Sequence, residues 1–262
     1  MSVISVDTEY NVQTAPCQVP VVHYPGTKNT ATSRVSDGQP PMTQPTWTAV
    51  DTYFNELFVG HDPQLDAAMQ ASSAAGLPAY AVSPTQGKLL FLVAQMQGAR
   101  NILELGTLGG YSTNWLARAL PPGGKLVTLE ASQRHAEVAQ ANIANAGLAD
   151  RVELRVGAAL DTLPQLAAEG RSPFDLIFID ADKPNIPRYF DAALRLSHSG
   201  TAIVIDNVVR KGEVANDETM DDNVLGVRAL VSHLAHEPRV SATAVQTVGG
   251  KGYDGFILAV VE

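Results

Sequence analysis
The sequence predicts an α/β fold: a mostly parallel sheet covered by helices on both faces. Three observations carry this prediction. From residue 101 onward, apolar runs of strand length alternate with amphipathic stretches of helical length. The crossovers between runs are similar in length, which suits right-handed βαβ units rather than hairpins. A glycine-rich turn, Gly106-Thr107-Leu108-Gly109-Gly110, follows the first apolar run, where a doubly wound sheet passes into a helix. With 262 residues, 45% of them hydrophobic and 17% charged, the chain can bury a core of that size.

Residues 1–44, rich in Pro, Thr, Ser and Gln and without a sustained apolar period, read as a disordered or loosely docked tail. Met42 near its end makes a start codon placed too far upstream an equal account of that segment. Residues 45–262 read as one domain. Trp47, Val50, Phe54, Leu57 and Phe58 recur at helical spacing, an amphipathic helix whose aromatic face is expected to form a lid or a dimer surface. Asp62-Pro63 supplies a cap and first helical residue for the next helix, and Ser83-Pro84 does the same for one that stops at Gly98. NILEL, residues 101–105, is the first strand; others follow at 125–130, 151–156, 174–180 and 201–206, separated by helices. A helix over 222–236 precedes strands near 239–247 and 255–261. The glycine-rich VGGKGYDG between those strands predicts a terminal hairpin, with one antiparallel strand in an otherwise parallel sheet.

Charge removes several function classes. Eighteen Lys and Arg against 27 Asp and Glu leave a net charge of -9, which repels phosphate backbones, so neither nucleic acid nor an anionic membrane is an expected partner. No apolar run is long enough to span a bilayer. Cys17, the single cysteine, excludes an intramolecular disulfide, a thiolate zinc site and an iron–sulfur cluster. The first residues lack the basic and apolar regions of a signal peptide, and the expected location is the cytoplasm.

In open α/β sheets a ligand sits beyond the carboxyl ends of the strands. The first strand and its turn read Glu104-Leu105-Gly106-Thr107-Leu108-Gly109-Gly110-Tyr111-Ser112, and the glycines let the backbone approach a ligand without side chains in the way. The second strand ends on Glu130, where a carboxylate accepts both hydroxyls of a ribose. Together they describe an adenosine pocket. Leu108 replaces the second glycine of G-x-G-x-x-G, removing the close backbone approach that a pyrophosphate needs. A ligand with a ribose but no phosphate tolerates Leu108, and the acidic Glu104 beneath the turn favours a cationic one. S-adenosylmethionine meets both conditions.

Phe178-Ile179-Asp180-Ala181-Asp182-Lys183 places two acids and a lysine directly after an apolar strand, and the next strand ends in Ile205-Asp206-Asn207. Those strand ends are expected to be neighbours. Asp180, Asp206 and Asn207 then present hard oxygen ligands on one rim, suited to Mg²⁺, Mn²⁺ or Ca²⁺ rather than zinc. A divalent cation there would acidify a phenol or catechol hydroxyl, with Lys183 taking the proton. Each residue alone is more simply a helix cap, a turn residue or a solvated charge. Jointly, opposite an adenosine pocket, they read as a site of methyl transfer. Asp175, ahead of a buried strand, reads as structural. None of the six His has a metal-ligand spacing and Ser112 lacks the flanks of a nucleophile elbow, which leaves a hydrolase without support.

LELGTLGGYS, FIDADK and IDNVVRKGEV, in that order and spacing, resemble the cation-dependent class I O-methyltransferases, which include caffeoyl-CoA and catechol O-methyltransferases and many bacterial relatives. The resemblance runs from about Val82 to Glu262. It implies a Rossmann-like, seven-stranded sheet with the last strand antiparallel, S-adenosylmethionine as methyl donor, and a homodimer. By motif position it implies cofactor contacts at Val82, Glu104, Gly106, Thr107, Ser112, Ala159 and Asp182, with Glu130 as ribose acceptor. It likewise implies metal ligands at Asp180, Asp206 and Asn207, and a base at Lys183.

The chain departs from plant members, which carry an Asn-Tyr pair soon after DADK; here Asn185 is followed by Ile186 and Pro187, with Tyr189 later. The hairpin VGGKGYDGF is longer than the plant pattern, and Tyr253 either lines an acceptor pocket or, the reading preferred, packs on the hairpin. No basic cluster suits a coenzyme A acceptor, so the expected acceptor is a small catechol-like or other vicinal-diol aromatic. Two alternatives stay open on sequence grounds. A nicotinamide-dependent oxidoreductase would use the same turn and Glu130, and Leu108 speaks against it. A non-catalytic nucleoside-binding relative would not need Asp180, Lys183, Asp206 and Asn207 intact.

Overall fold
The computed structural model describes residues 43–262; the tail assigned to residues 1–44, with Cys17, lies outside the described residues except for Thr43 and Gln44. Helices α1 (Gln44–Phe54), α2 (Pro63–Ala74) and α3 (Pro84–Met96) precede the sheet. Then follow β1 (Asn101–Leu105), α4 (Tyr111–Ala119), β2 (Lys125–Glu130), α5 (Gln133–Asn145), β3 (Val152–Val156), α6 (Ala159–Ala168), β4 (Phe174–Ile179) and α7 (Ile186–Arg195). β5 (Ser197–Asp206), α8 (Asp222–Leu234), β6 (Val240–Gly249) and β7 (Gly252–Val261) close the chain. The seven strands lie in the order β3-β2-β1-β4-β5-β7-β6. β1 to β5 are parallel, and β7 runs antiparallel to both β5 and β6, as the terminal hairpin requires.

The central strands β1, β2 and β4 are buried on both faces because helices cover both. Ile102 pairs in register with Leu126 and Leu176, and Leu103 with Val127 and Ile177. Since side chains alternate along a strand, the first set packs in one core layer with Trp115, Leu116 and Ile143, and the second in the other with Leu163, Phe190 and Leu230. The caps form as read: Asp62 accepts the N–H groups of Gln64 at 3.1 Å and Leu65 at 3.0 Å, and Ser83 accepts that of Gln86 at 3.2 Å.

Three details differ from the sequence expectation. β6 and β7 extend into the glycine-rich link until Gly249 pairs with Gly252, leaving only Gly250 and Lys251 as the turn. β5 begins at Ser197 rather than 201, because Phe174 pairs with Ser197 across a register shift. α1 widens into a π turn over Asn55–Val59; of its aromatic face, Val50, Phe54, Leu57 and Phe58 are exposed, and Trp47 is half-buried. Asp175 is structural as expected, accepting the N–H groups of Arg100 at 2.7 Å and Asn101 at 2.8 Å. Among the described residues, no helix is long and apolar enough to cross a membrane.

Candidate active site
The strand order reverses between β1 and β4, so a crevice is expected above their carboxyl ends. The expected site residues fall along that rim in strand order: Ala159 after β3, Glu130 ending β2, Gly106 and Thr107 after β1, Asp180 to Lys183 after β4, and Asp206 and Asn207 at β5. The glycine turn and the acidic cluster share a wall. Leu105 O accepts the N–H of Asp180 at 2.8 Å, and a Cβ on Gly106 would lie 2.2 Å from the Asp180 carbonyl oxygen. With φ at +98° as well, Gly106 admits no side chain.

Leu108 also lies in the left-handed region, at φ +49°, a conformation that costs a leucine about 1–2 kcal/mol. Glu130 holds it there: one carboxylate oxygen accepts the Leu108 N–H at 2.8 Å while the other accepts that of Ser132 at 2.9 Å. The ribose-acceptor candidate thus also fixes the shape of the turn.

Glu104 is wholly buried beneath the same turn. It accepts hydroxyl hydrogens from Ser112 at 2.6 Å, Thr113 at 2.5 Å and Thr128 at 2.7 Å, and Thr107 lies 2.6 Å from Thr128 at the end of the chain of hydroxyls. Burial pushes its carboxyl up to about 7; the three hydroxyls oppose that rise and the charge of Asp180 adds to it. Glu104, Thr107 and Ser112 therefore form one buried network linking β1, β2 and the first turn of α4.

β4 and β5 are neighbours, and their ends bring Asp180, Lys183, Asp206 and Asn207 together. The Lys183 ammonium is buried and donates to Asp180 at 3.1 Å. Asp206 is 4% exposed; burial and the neighbouring Asp180 charge push its carboxyl up to about 7, against the Asn207 N–H, the Lys183 charge and a hydrogen bond from Gln86. Asn207 sits at φ +55°, a conformation asparagine tolerates, and donates its N–H to Asp206 at 2.8 Å. The result is a rim where two carboxylates meet, Asp180 paired with Lys183 and Asp206 held high by burial and by its neighbour.

The O-methyltransferase family model matches residues 59–260. The chain belongs to this family. A catechol O-methyltransferase of Niastella koreensis is 51% identical over 221 residues, covering 84% of this chain and 100% of the relative. The crystal structure of an O-methyltransferase from Bacillus cereus in complex with SAH is 59% identical with a TM-score of 0.83, over 84% of this chain and 100% of that one. An O-methyltransferase of Streptomyces achromogenes involved in tomaymycin synthesis, in complex with SAM, is 52% identical with a TM-score of 0.82, over 84% and 99%. The protein is a class I, S-adenosylmethionine-dependent O-methyltransferase of the caffeoyl-CoA and catechol type, which sets the nicotinamide reading aside.

The other expected residues of the O-methyltransferase are also placed. Val82 is buried immediately before the cap of α3, and Ala159 opens α6. Asp182 accepts from Asn185 Nδ2 at 2.6 Å and from the Tyr189 hydroxyl, so the two residues displaced relative to the plant pattern grip this acid. Tyr253 donates to Gln246 across the hairpin, in keeping with packing. Sequence reading missed Gln86, bonded to Asp206 from the first turn of α3, and Thr113 and Thr128, which share Glu104. Thr128 carries a sequence signal, being a polar residue within an apolar strand; Gln86 carries none.

Proposed function
We propose that this O-methyltransferase transfers the methyl group of S-adenosylmethionine to a hydroxyl of a small catechol-like or other vicinal-diol aromatic, with Lys183 as general base and a divalent cation held by Asp180, Asp206 and Asn207. Mg²⁺ is the favoured ion, with Mn²⁺ or Ca²⁺ as substitutes. The observation that carries the reading is the meeting of these four residues at the ends of β4 and β5, directly against the Gly106 turn.

The residues fit a hard cation. Two carboxylates and an amide are oxygen donors, and the raised Asp206 carboxyl marks a place short of positive charge. Among the described residues, no group of three or more His, Cys, Asp or Glu offers a competing metal site. A bound divalent cation would supply orientation and acidify the acceptor hydroxyl. Val82, Gly106, Thr107, Ala159 and Asp182 would line the methyl donor, and Glu130 would take its ribose. Glu104 and Ser112, expected from the resemblance as cofactor contacts, are buried beneath the turn and would support it from there. In its neutral amine form, Lys183 Nζ would receive the hydroxyl proton as the oxygen–methyl bond forms and the sulfur–methyl bond breaks in line, releasing S-adenosylhomocysteine. The relative from Niastella koreensis, a catechol O-methyltransferase, supports this acceptor class. The exposed aromatic face of α1 supports a homodimer, which sedimentation would read directly.

The test is calorimetry of the chelator-treated protein with S-adenosylmethionine, followed by methyl transfer to a catechol panel with and without Mg²⁺. Tight cofactor binding with transfer only in the presence of Mg²⁺ is the expected result. Metal-independent transfer would overturn the roles of Asp180, Asp206 and Asn207, and absence of transfer to any vicinal diol would overturn the acceptor class.

A further inference from the structure
Lys251, at the tip of the β6–β7 hairpin, is not among the residues assigned to the site above. The tip is clamped from one side by α1: Gln44 Nε2 donates to Gly249 O at 2.8 Å, and Asp51 accepts the Gly250 N–H at 2.7 Å. From that support Lys251 extends its ammonium to the carbonyl of Ala81, the residue before the cofactor-lining Val82. The side chain therefore spans from the hairpin to the segment entering α3.

A carbonyl is a neutral partner and leaves the ammonium charge uncompensated. No ion pair joins Lys251 to an acidic side chain among the described residues. The acids whose charge reaches it are Asp180 and Asp206, which oppose the downward push that burial exerts on the Lys251 ammonium. Lys183 and Lys251 are the cations whose charge reaches these two carboxylates. A divalent cation on the carboxylates would take up their charge and leave the Lys251 ammonium without an acidic partner, and an acidic substituent on the acceptor would supply one.

We propose that Lys251 is a specificity-determining residue, whose ammonium pairs with a carboxylate carried by the aromatic acceptor. The proposal rests on the catechol-acceptor reading above and names the acceptor more closely: a vicinal diol bearing an acidic substituent. Lysine suits this task because its flexible stem delivers a point charge without a fixed fork geometry.

Two measurements test it, using catechol and 3,4-dihydroxybenzoate as probes. In steady-state kinetics with Mg²⁺, the wild type is expected to favour the acid at least tenfold in kcat/KM, Lys251→Met to lose that preference mainly through KM, and Lys251→Arg to keep most of it. In calorimetry on Mg²⁺-loaded protein carrying S-adenosylhomocysteine, where no turnover occurs, the acid is expected to bind the wild type more tightly than catechol and Lys251→Met to abolish the difference. Equal use of both probes by the wild type overturns the proposal. So does a Lys251→Met variant that loses activity on both in the same proportion, which would make Lys251 a clamp for the hairpin only. If neither probe is methylated, the acceptor reading fails, and the calorimetric difference alone decides the role of Lys251.

Discussion
The two ends of β4 carry acids of the same type in opposite circumstances. Asp175, at the amino end, lies across the β1 entrance, where burial raises its carboxyl but the N–H groups of Arg100 and Asn101 and the His198 ring outweigh it and hold it below the ordinary range. At the carboxyl end Asp180 stands beside Asp206, whose carboxyl is pushed up to about 7 by burial and by that neighbour. Asp175 has its charge met by donors of the chain, whereas Asp206 is held high despite the Asn207 N–H, Lys183 and Gln86. That contrast separates two acids that residue type alone does not distinguish.

The sharpest way to break the comparison is Asp206→Asn, which keeps the shape and removes the charge. Methyl transfer is expected to fall by about a thousandfold or more. The melting temperature should hold or rise at pH 8, because a carboxyl raised in the folded state destabilises it increasingly as pH climbs from 3.8 to about 7. A large drop in melting temperature would show that the carboxylate is structural after all.

Next in size, Lys183→Met is expected to lower kcat by roughly a hundredfold to ten-thousandfold with S-adenosylmethionine affinity retained, as loss of a general base does. Rapid-quench measurement of the transfer step, alongside calorimetry, separates the two quantities; an unchanged transfer rate would remove Lys183 from the mechanism.

At the other end, Asp175→Ala strands two backbone N–H groups and should cost about 2–3 kcal/mol in urea unfolding, with transfer per folded molecule retained. The smallest effect is expected from His198→Asn, a few tenths of a kcal/mol, because the His198–Asp175 pair is partly exposed. Its pH dependence is the more telling readout. The bond to Asp175 raises the His198 ring above its ordinary 6.5, so its contribution is complete below 6.5 and lost as pH rises through the folded value. Asp175 acts in the opposite sense, its contribution being present above 3.8 and lost as pH falls through its lowered folded value. The wild type should lose this increment on the alkaline side, and His198→Asn should not.

The acidic cluster was legible because the carboxyl-end rule needs only strand order and the last residues of each strand. Asp180, Lys183, Asp206 and Asn207 all satisfy it. Residues that reach the same rim from elsewhere were not legible. Gln86 arrives from a helix that precedes the sheet, and Lys251 from a hairpin tip, and no periodicity links either of them to Asp206. Glu104 was read as an acid beneath the turn, but its three hydroxyl partners come from α4 and from the parallel register of β2.

By itself the sequence determined the alternation of strands and helices, the caps at Asp62 and Ser83, the glycine turn and the acids at the strand ends, all of which depend on neighbours a few residues away. Only the tertiary structure decided the surroundings of those acids. Parallel pairing placed β1 beside β4 and β4 beside β5, and burial then left Asp206 without enough positive charge while Asp175 gained two N–H donors. Local pattern selects an element; the environment of an ionisable group is set by everything that excludes water from it, and those contacts are far apart in the chain.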